Sequence, residues 1–150
     1  MRVVIQRVSE ASVSIEGKLK SSIQNGMLLL LGIEETDTQD DIEWLCGKIM
    51  RLRIFPDEND VMNNDIISMK GSFLVVSQFT LHASTKKGNR PSYIRAARPE
   101  TAIPLYEKFV QVLKTESGLV VETGEFGAMM QVQLVNDGPV TILIDTKNKE

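Results

Sequence analysis

Residues 26–33, GMLLLLGI, form an unbroken apolar run that constrains the fold more than any other stretch of the chain. The run is far shorter than the roughly 20 residues that a membrane-spanning helix needs, so no membrane partner is expected. It follows a glycine and shows no polar alternation, which favours a strand buried in the centre of a sheet. A second apolar stretch, SFLVVSQFTL at 72–81, predicts another strand. The chain is therefore expected to fold around a sheet.

The N-terminal segment predicts a β-hairpin. Residues 2–15 mix polar–apolar alternation with β-branched residues, and Glu16-Gly17 supplies a turn into KLKSSI at 18–23. Further strands are expected at 51–55, 119–123, 128–135 and 140–145.

Two amphipathic helices are expected between these strands. The first has apolar residues at positions i, i+3, i+4 and i+7, namely Ile42, Leu45, Cys46 and Ile49. The second begins near Pro99 and stops at Gly118. Because the links are short, the sheets should be largely antiparallel and the fold class α+β. The length of 150 residues fits a single domain spanning residues 1–150.

Composition and charge exclude several classes of protein. The apolar fraction of 42% and the charged fraction of 25% are ordinary for a soluble globular protein. A single cysteine, Cys46, excludes an internal disulfide, and the N-terminus lacks a signal-peptide pattern. These features predict a cytoplasmic location. The net charge of −3 argues against general affinity for nucleic acid.

Residues 86–98, KKGNRPSYIRAAR, are nevertheless basic. They contain no acidic residue and five basic ones, Lys86, Lys87, Arg90, Arg95 and Arg98. Such a segment is either a solvated loop or a set of contacts to phosphate groups.

No metal or cofactor motif is present, and no cofactor is expected. One histidine and one cysteine cannot build a usual zinc site, although a site made only of carboxylates stays open. On the predicted strand, Thr80 and His82 share a face, which permits a Thr-His pair. Their spacing of about 7 Å is too long for a direct hydrogen bond, and the alternative is a surface histidine at a strand end.

Two short stretches carry candidate chemistry. In SQFTL (77–81), polar residues end an apolar strand, where side chains need partners or a ligand and free N–H groups can form an oxyanion hole. In NDGPV (136–140), Gly138-Pro139 precedes a predicted strand. The dipeptide either launches that strand from a turn or provides a cis peptide that another molecule can approach closely.

Four stretches in register resemble the D-aminoacyl-tRNA deacylase family: SQFTL (77–81), KKGNRPSY (86–93), EFGAMMQV (125–132) and NDGPVTILID (136–145). The openings MRVVIQRV and GMLLLLGI match as well, so the resemblance covers essentially all 150 residues. It implies two packed sheets with two main helices covering one side. It also implies a homodimer without metal or organic cofactor that hydrolyses the ester between a D-amino acid and the 3′-terminal adenosine of tRNA, and that accepts glycyl-tRNA.

The resemblance also implies roles for individual residues. Gly138-Pro139 would be cis and would enter the partner's active site, where its carbonyls hold the amino group of a D-residue and exclude L side chains. Arg7 would steady this element. Either Thr80 is a nucleophile, or the N–H groups around Phe79 and Thr80 stabilise the oxyanion while the ribose 2′-OH activates water.

The second of these mechanisms is preferred, because threonine is a poor nucleophile without a base. Gln78 and Ser77 would line the same pocket, and Phe126 and Met130 either wall the adenosine pocket or pack in the core. Lys86, Lys87 and Arg90 would meet tRNA phosphates. The competing hypothesis is a non-catalytic nucleic-acid-binding dimer on the same fold.

Overall fold

Eight strands, two helices and one 3₁₀ turn make up the fold in the computed structural model, which describes residues 1–150. The helices are α1 (Gln39–Met50) and α2 (Pro99–Ser117), and the 3₁₀ turn spans Phe79–His82. The strands are β1 (Arg2–Ile15), β2 (Lys18–Ile23), β3 (Gly26–Gly32), β4 (Phe55–Pro56), β5 (Met62–Asn64), β6 (Ser72–Ser77), β7 (Val121–Thr123) and β8 (Gln131–Asp145). No helix is both long enough and apolar enough to cross a membrane.

The main sheet has six strands in the order β2-β1-β3-β6-β7, and β8 pairs with β1 as well. The β1–β2, β1–β3 and β1–β8 ladders are antiparallel, and so is the small β4–β5 sheet. The β3–β6 and β6–β7 ladders are parallel. The parallel ladders arise because the chain passes through α1 and α2 before it returns to the sheet. The α+β class and the N-terminal hairpin are confirmed.

The main sheet curls so that its two halves pack on each other. The first half of β1 pairs with β3 and the second half with β2, which bends the sheet. The edges then meet, since Ser21 Oγ of β2 donates to the Thr123 carbonyl of β7 at 2.7 Å. Seven buried residues fill the space between the halves: Val8, Ala11, Val13, Ile23, Leu28, Leu74 and Val76.

Both helices cover the other face of this sheet. A cluster of 22 buried residues lies there, and it contains the four apolar positions predicted for α1. The second helix begins at Pro99, as predicted, and Gly118 ends it in the left-handed conformation with φ 67°. The spacing of apolar residues in this helix predicts that Ile103 faces inward with Tyr106, Phe109, Val110 and Leu113, but Ile103 is exposed.

Three sequence predictions about strands were wrong in detail. The strand predicted at 72–81 ends at Ser77, because its partner β3 ends at Gly32 and no ladder remains to extend it. The strand predicted at 51–55 shrinks to Phe55–Pro56. The two strands predicted at 128–135 and 140–145 are one strand, β8, because β1 offers a pairing edge along almost its whole length.

Candidate active site

The end of β6 places the SQFTL residues on an exposed turn. The Gln78 N–H donates to the Leu31 carbonyl at 2.7 Å, and this is the last bond to β3 before the chain turns. Within the turn, the Leu81 N–H donates to the Gln78 carbonyl at 3.3 Å. Phe79 and Thr80 begin the helical turn, so their N–H groups have no acceptor inside it. These two adjacent donors therefore take no part in the hydrogen bonds of the turn itself.

The side chains around this turn give Thr80 no base. The Thr80 hydroxyl accepts a hydrogen bond from Gln78 Nε2. His82 makes no contact with it, because the 3₁₀ turn directs the imidazole into the protein, where the residue is fully buried. His82 Nδ1 lies 3.0 Å from Glu34 Oε1. The prediction that His82 is a surface residue is therefore wrong, and the Thr80–His82 pair does not form.

A small pocket of about 80 Å³ opens beside the turn. Its walls combine the ends of β3 and β6 with the start of α2 and the segment before β8: Leu31, Ile33, Ser77, Gln78, Phe79, Ala97, Ala102, Phe126 and Gly127. Most of this lining is apolar, and the polar side chains come from the SQFTL stretch. We call this cavity the ester pocket. It brings together Ser77, Gln78, Phe79 and Phe126, and their role in binding substrate stays a prediction.

The two predicted adenosine-pocket walls lie in different places. Phe126 lines the ester pocket and also packs edge to face on Tyr106, with ring centroids 5.7 Å apart. The Tyr106 hydroxyl donates to the Val75 carbonyl at 2.8 Å, and burial raises the pKa of this tyrosine. Met130 packs beside Gly124 and against the cluster inside the curled sheet. Phe126 therefore serves both the pocket and the core, whereas Met130 lies outside the lining of the ester pocket.

Tyr93 connects the ester pocket to the basic segment. Phe79 is 56% exposed, and its ring packs edge to face on Tyr93 with centroids 5.1 Å apart. Ser84 and Ser92 exchange two backbone hydrogen bonds, of 2.8 and 2.9 Å, which close the loop between them. The predicted tRNA contacts, Lys86, Lys87 and Arg90, are exposed on this loop. Sequence reasoning missed Tyr93, although the KKGNRPSY stretch contains it.

Residues 137–140, the Gly-Pro loop, stand out from the β1–β8 ladder. Gln6 pairs with Thr141 and Val8 pairs with Asn136, so four residues of β8 lie opposite one residue of β1. The Gly138-Pro139 peptide is cis, and Gly138 has φ 133°, a conformation that L side chains rarely adopt. Both residues are exposed. Their backbone is thus open to a neighbouring molecule.

Arg7 and Asn136 hold this loop from inside the protein. Arg7 is 9% exposed; its Nε donates to the Asp137 carbonyl at 2.9 Å and its Nη1 to the Ile54 carbonyl at 2.6 Å. Asn136 Oδ1 accepts from the Val140 N–H at 3.0 Å, which closes the loop across its base. Sequence reasoning missed Asn136, although asparagine beside a turn often bonds nearby backbone in this way.

One chain does not bring its own Gly-Pro loop to its own ester pocket. Arg2 Nη1 donates to the Leu81 carbonyl at 3.0 Å, so the turn lies beside the start of β1. The Gly-Pro loop lies beside Arg7, farther along the same strand. These positions are five residues apart on one strand, which is about 17 Å at roughly 3.3 Å per residue. The two predicted halves of the site are therefore separate within one chain.

No group of three or more His, Cys, Asp or Glu side chains is placed to hold a metal ion.

Known proteins share both the sequence and the fold. Residues 4–145 match the family model described as D-Tyr-tRNA(Tyr) deacylase. The chain belongs to this family of hydrolases. Proteins named D-aminoacyl-tRNA deacylase from Bacteroides fragilis (strain YCH46) and Flavobacterium johnsoniae are 68% and 63% identical to it, over 100% of each chain.

Two solved structures resemble the fold. One is described as c-Myc DNA Unwinding Element Binding Protein; it is 40% identical, has a TM-score of 0.91 and covers 97% of this chain and 98% of its own. The other is described as a probable eukaryotic D-amino acid tRNA deacylase, with a TM-score of 0.81, coverage of 95% and 97%, and 15% identity. The second likeness shows the fold alone. The resemblance inferred from the four sequence stretches is thus confirmed.

Arg7→Lys is expected to lower the free energy of unfolding by about 1–3 kcal/mol, because a single ammonium cannot bridge the Asp137 and Ile54 carbonyls as the guanidinium does. Urea denaturation measures the change. The matched control is Arg53→Lys, since exposed Arg53 donates to one carbonyl only, that of Asn63 at 2.8 Å. Equal stability for both variants would contradict the bridging role of Arg7.

Proposed function

We propose that this protein hydrolyses the ester bond of D-aminoacyl-tRNA and of mischarged glycyl-tRNA. The products are free tRNA and the amino acid. The observation that carries the proposal is the turn at the end of β6: Phe79 lines an apolar pocket, and the N–H groups of Phe79 and Thr80 have no acceptor within the turn. Family membership and full-length relatives named D-aminoacyl-tRNA deacylase support the same reaction. Because the substrate is charged tRNA, we place the activity in the cytoplasm.

The N–H groups of Phe79 and Thr80 stabilise the oxyanion in this proposal. Hydrolysis of an ester puts negative charge on the carbonyl oxygen, and fixed backbone donors stabilise that charge without rearranging. The Thr80 hydroxyl already accepts from Gln78 Nε2 and has no base beside it. We therefore assign water as the nucleophile, activated with help from the ribose 2′-OH, and give Gln78 the task of orienting Thr80. Bound in this geometry, an ester needs little more than positioning.

A second copy of the chain completes the site in this proposal. The Gly-Pro loop is exposed, yet it lies about 17 Å along β1 from the level of its own ester pocket. The outer edge of β8 has no pairing strand, and Val135 and Leu143 on it are 50% and 64% exposed. A long edge with exposed apolar residues is commonly covered by a partner. A homodimer that exchanges Gly-Pro loops would supply each pocket with its missing half.

The Gly-Pro loop accounts for the choice of substrate. The Gly138 and Pro139 carbonyls accept from the substrate amino group, and the backbone occupies the space that an L side chain needs. A backbone held by Arg7 and Asn136 cannot yield as a mobile side chain would. Rejection therefore rests on a clash rather than on weaker attraction. Glycine has no side chain to clash, so glycyl-tRNA is accepted.

The tRNA 3′ end meets the remaining predicted residues. Ser77 and Phe126 line the ester pocket, where the terminal adenosine and the aminoacyl group bind. We keep Met130 as a contact for the adenosine outside that cavity. Lys86, Lys87 and Arg90 are exposed on the neighbouring loop and meet backbone phosphates. A local basic loop on a chain of net charge −3 suits a few defined contacts better than general binding.

The competing function is a dimer that binds nucleic acid without turnover. It is favoured by one observation: the solved neighbour at 40% identity is described as a DNA-binding protein. A binder and a hydrolase differ in the fate of bound aminoacyl-tRNA, because the binder protects the ester.

Purified protein is expected to release D-tyrosine from tRNA charged with D-tyrosine, and to leave L-tyrosyl-tRNA intact. Loss of labelled amino acid from each tRNA measures the two rates. Release of both amino acids would support hydrolase activity but would contradict the proposed role of the Gly-Pro loop in rejecting L-amino acids. Release of neither, with tRNA bound, would favour the nucleic-acid binder.

Phe79→Pro is expected to lower kcat about 10²- to 10³-fold relative to Phe79→Ala, because it removes one oxyanion donor. Proline fits the first position of a helical turn, and both variants lose the ring. Thr80→Ala should cost only about fivefold, the effect of one neutral hydrogen bond. Deacylation kinetics measure all three. Complete loss in Thr80→Ala with the fold intact would instead favour the nucleophile mechanism.

Mixing two inactive variants is expected to restore activity if the loop acts across the dimer. Gly138→Ala distorts the Gly-Pro loop because alanine rarely adopts φ 133°, whereas Phe79→Pro damages the pocket. In a mixed dimer, the chain with the intact pocket faces the chain with the intact loop, so one site works. The control mixes each variant with itself after the same unfolding and refolding. No recovery, with mixed dimers present, would show that loop and pocket do not meet across subunits.

A further inference from the structure

His82 is the one buried titratable residue of the catalytic turn, and the proposed reaction leaves it without a role. It closes the four-residue turn that carries Phe79 and Thr80, and it is fully buried. Few backbone bonds hold so short a turn: the Leu81 N–H reaches the Gln78 carbonyl at 3.3 Å and the Ala83 N–H reaches the Thr80 carbonyl at 3.0 Å. The side chain at its end therefore has a large share in fixing its orientation.

The imidazole sits in a place shaped for it at the end of β3. A Cβ added to Gly32 would lie 3.1 Å from both His82 Cδ2 and His82 Nε2, a contact so tight that the ring would have to shift by a few tenths of an ångström. On the other side, His82 Nδ1 lies 3.0 Å from Glu34 Oε1. The ring thus joins the turn to the two residues that flank Ile33.

Glu34 is itself fixed by three further contacts. Its backbone N–H donates to Asp37 Oδ2 at 2.8 Å, and its backbone pairs with Ala96 in an isolated antiparallel bridge. Its Oε1, the same atom that faces His82, accepts from Arg95 Nη2 at 3.0 Å. A continuous chain of contacts therefore runs from the catalytic turn through His82 and Glu34 to Arg95, on the basic segment, although neither ring nitrogen of His82 makes a hydrogen bond of normal geometry.

We propose that His82 is a positioning residue that, seated on Gly32 and against Glu34, sets the direction of the Phe79 and Thr80 N–H groups. The inference rests on the proposed function, since those two groups are the oxyanion donors assigned above. Misplacing such donors by about 1 Å can lower the rate of an enzyme roughly 10²-fold. His82 acts through the turn and does not touch the substrate.

The burial of His82 favours a neutral ring. Burial lowers its pKa below the ordinary value of 6.5; the Gly32 backbone and Glu34 oppose this shift, while Arg2 and the N-terminal ammonium add to it. Because the folded-state pKa is lowered, the contribution of the neutral ring to stability is complete above 6.5 and is lost as the pH falls below it. Acid should therefore loosen the turn in the wild type.

The test compares His82→Ala and His82→Gln with Cys46→Ala. Cys46 is also fully buried but lies between α1 and α2, outside the ester pocket. His82→Ala is expected to lower kcat about 10- to 100-fold with KM little changed, and His82→Gln, which keeps a polar side chain, should lose less. The ratio of variant to wild-type rate should rise as the pH falls below 6.5, because only the wild type has a ring to protonate.

Amide hydrogen exchange provides a readout independent of activity. The Leu81 and Ala83 amides, which close the turn, should exchange faster in His82→Ala and keep their wild-type rates in Cys46→Ala. An unchanged kcat in His82→Ala overturns the proposal. The proposal is also overturned if Cys46→Ala lowers Tm and kcat as much as His82→Ala does. If the wild type deacylates no substrate, the proposed function is wrong, and the exchange experiment still tests the role of His82. In that case, unchanged exchange rates of the Leu81 and Ala83 amides in His82→Ala would overturn the positioning role.

Discussion

The backbone ladder between β1 and its three partners is the interaction on which the rest of the structure depends. β1 pairs with β3 over Arg2–Val8, with β2 over Ala11–Ile15 and with β8 along both segments. These bonds bend the sheet, bring its edges together and fix two irregular elements at set positions along one strand. Arg2 reaches the turn at Phe79–His82 and Arg7 reaches the Gly-Pro loop. The distance between the two elements is thus set by the length of regular strand between these arginines.

Irregular backbone at both elements is held by buried polar side chains. Arg7 bonds two carbonyls that lie outside any ladder, and His82 fills the space beside Gly32 against a carboxylate. Arg7 is paired through these two hydrogen bonds, whereas His82 Nδ1 lies beside Glu34 without a hydrogen bond of normal geometry. Both side chains are packed against the element that they support and so restrict its movement. In the proposed reaction, rigidity is the required property: one element excludes by shape, and the other stabilises charge.

Local patterns predicted much of this fold. The apolar run at 26–33 became central β3, the helical spacing from Ile42 to Ile49 became the buried face of α1, and Pro99 and Gly118 bound α2. The predictions failed where pairing decides the outcome. Nothing local in SQFTL ends a strand at Ser77; the end follows from where β3 stops. The depth of His82 could not be predicted for the same reason, because an extended strand and a 3₁₀ turn direct its side chain to different places.

The sequence by itself determined the α+β class, the two helices, the family and the stretches that carry the candidate site. It could do so because periodicity, helix-terminating residues and motifs are local properties of the chain. Only the tertiary structure decided that Ser77, Phe79 and Phe126 share one pocket, that Arg7 holds the Gly-Pro loop from inside, and that the loop lies far from the pocket of its own chain. These are relations between residues many positions apart, and they are fixed by strand register and burial rather than by the identity of any one residue.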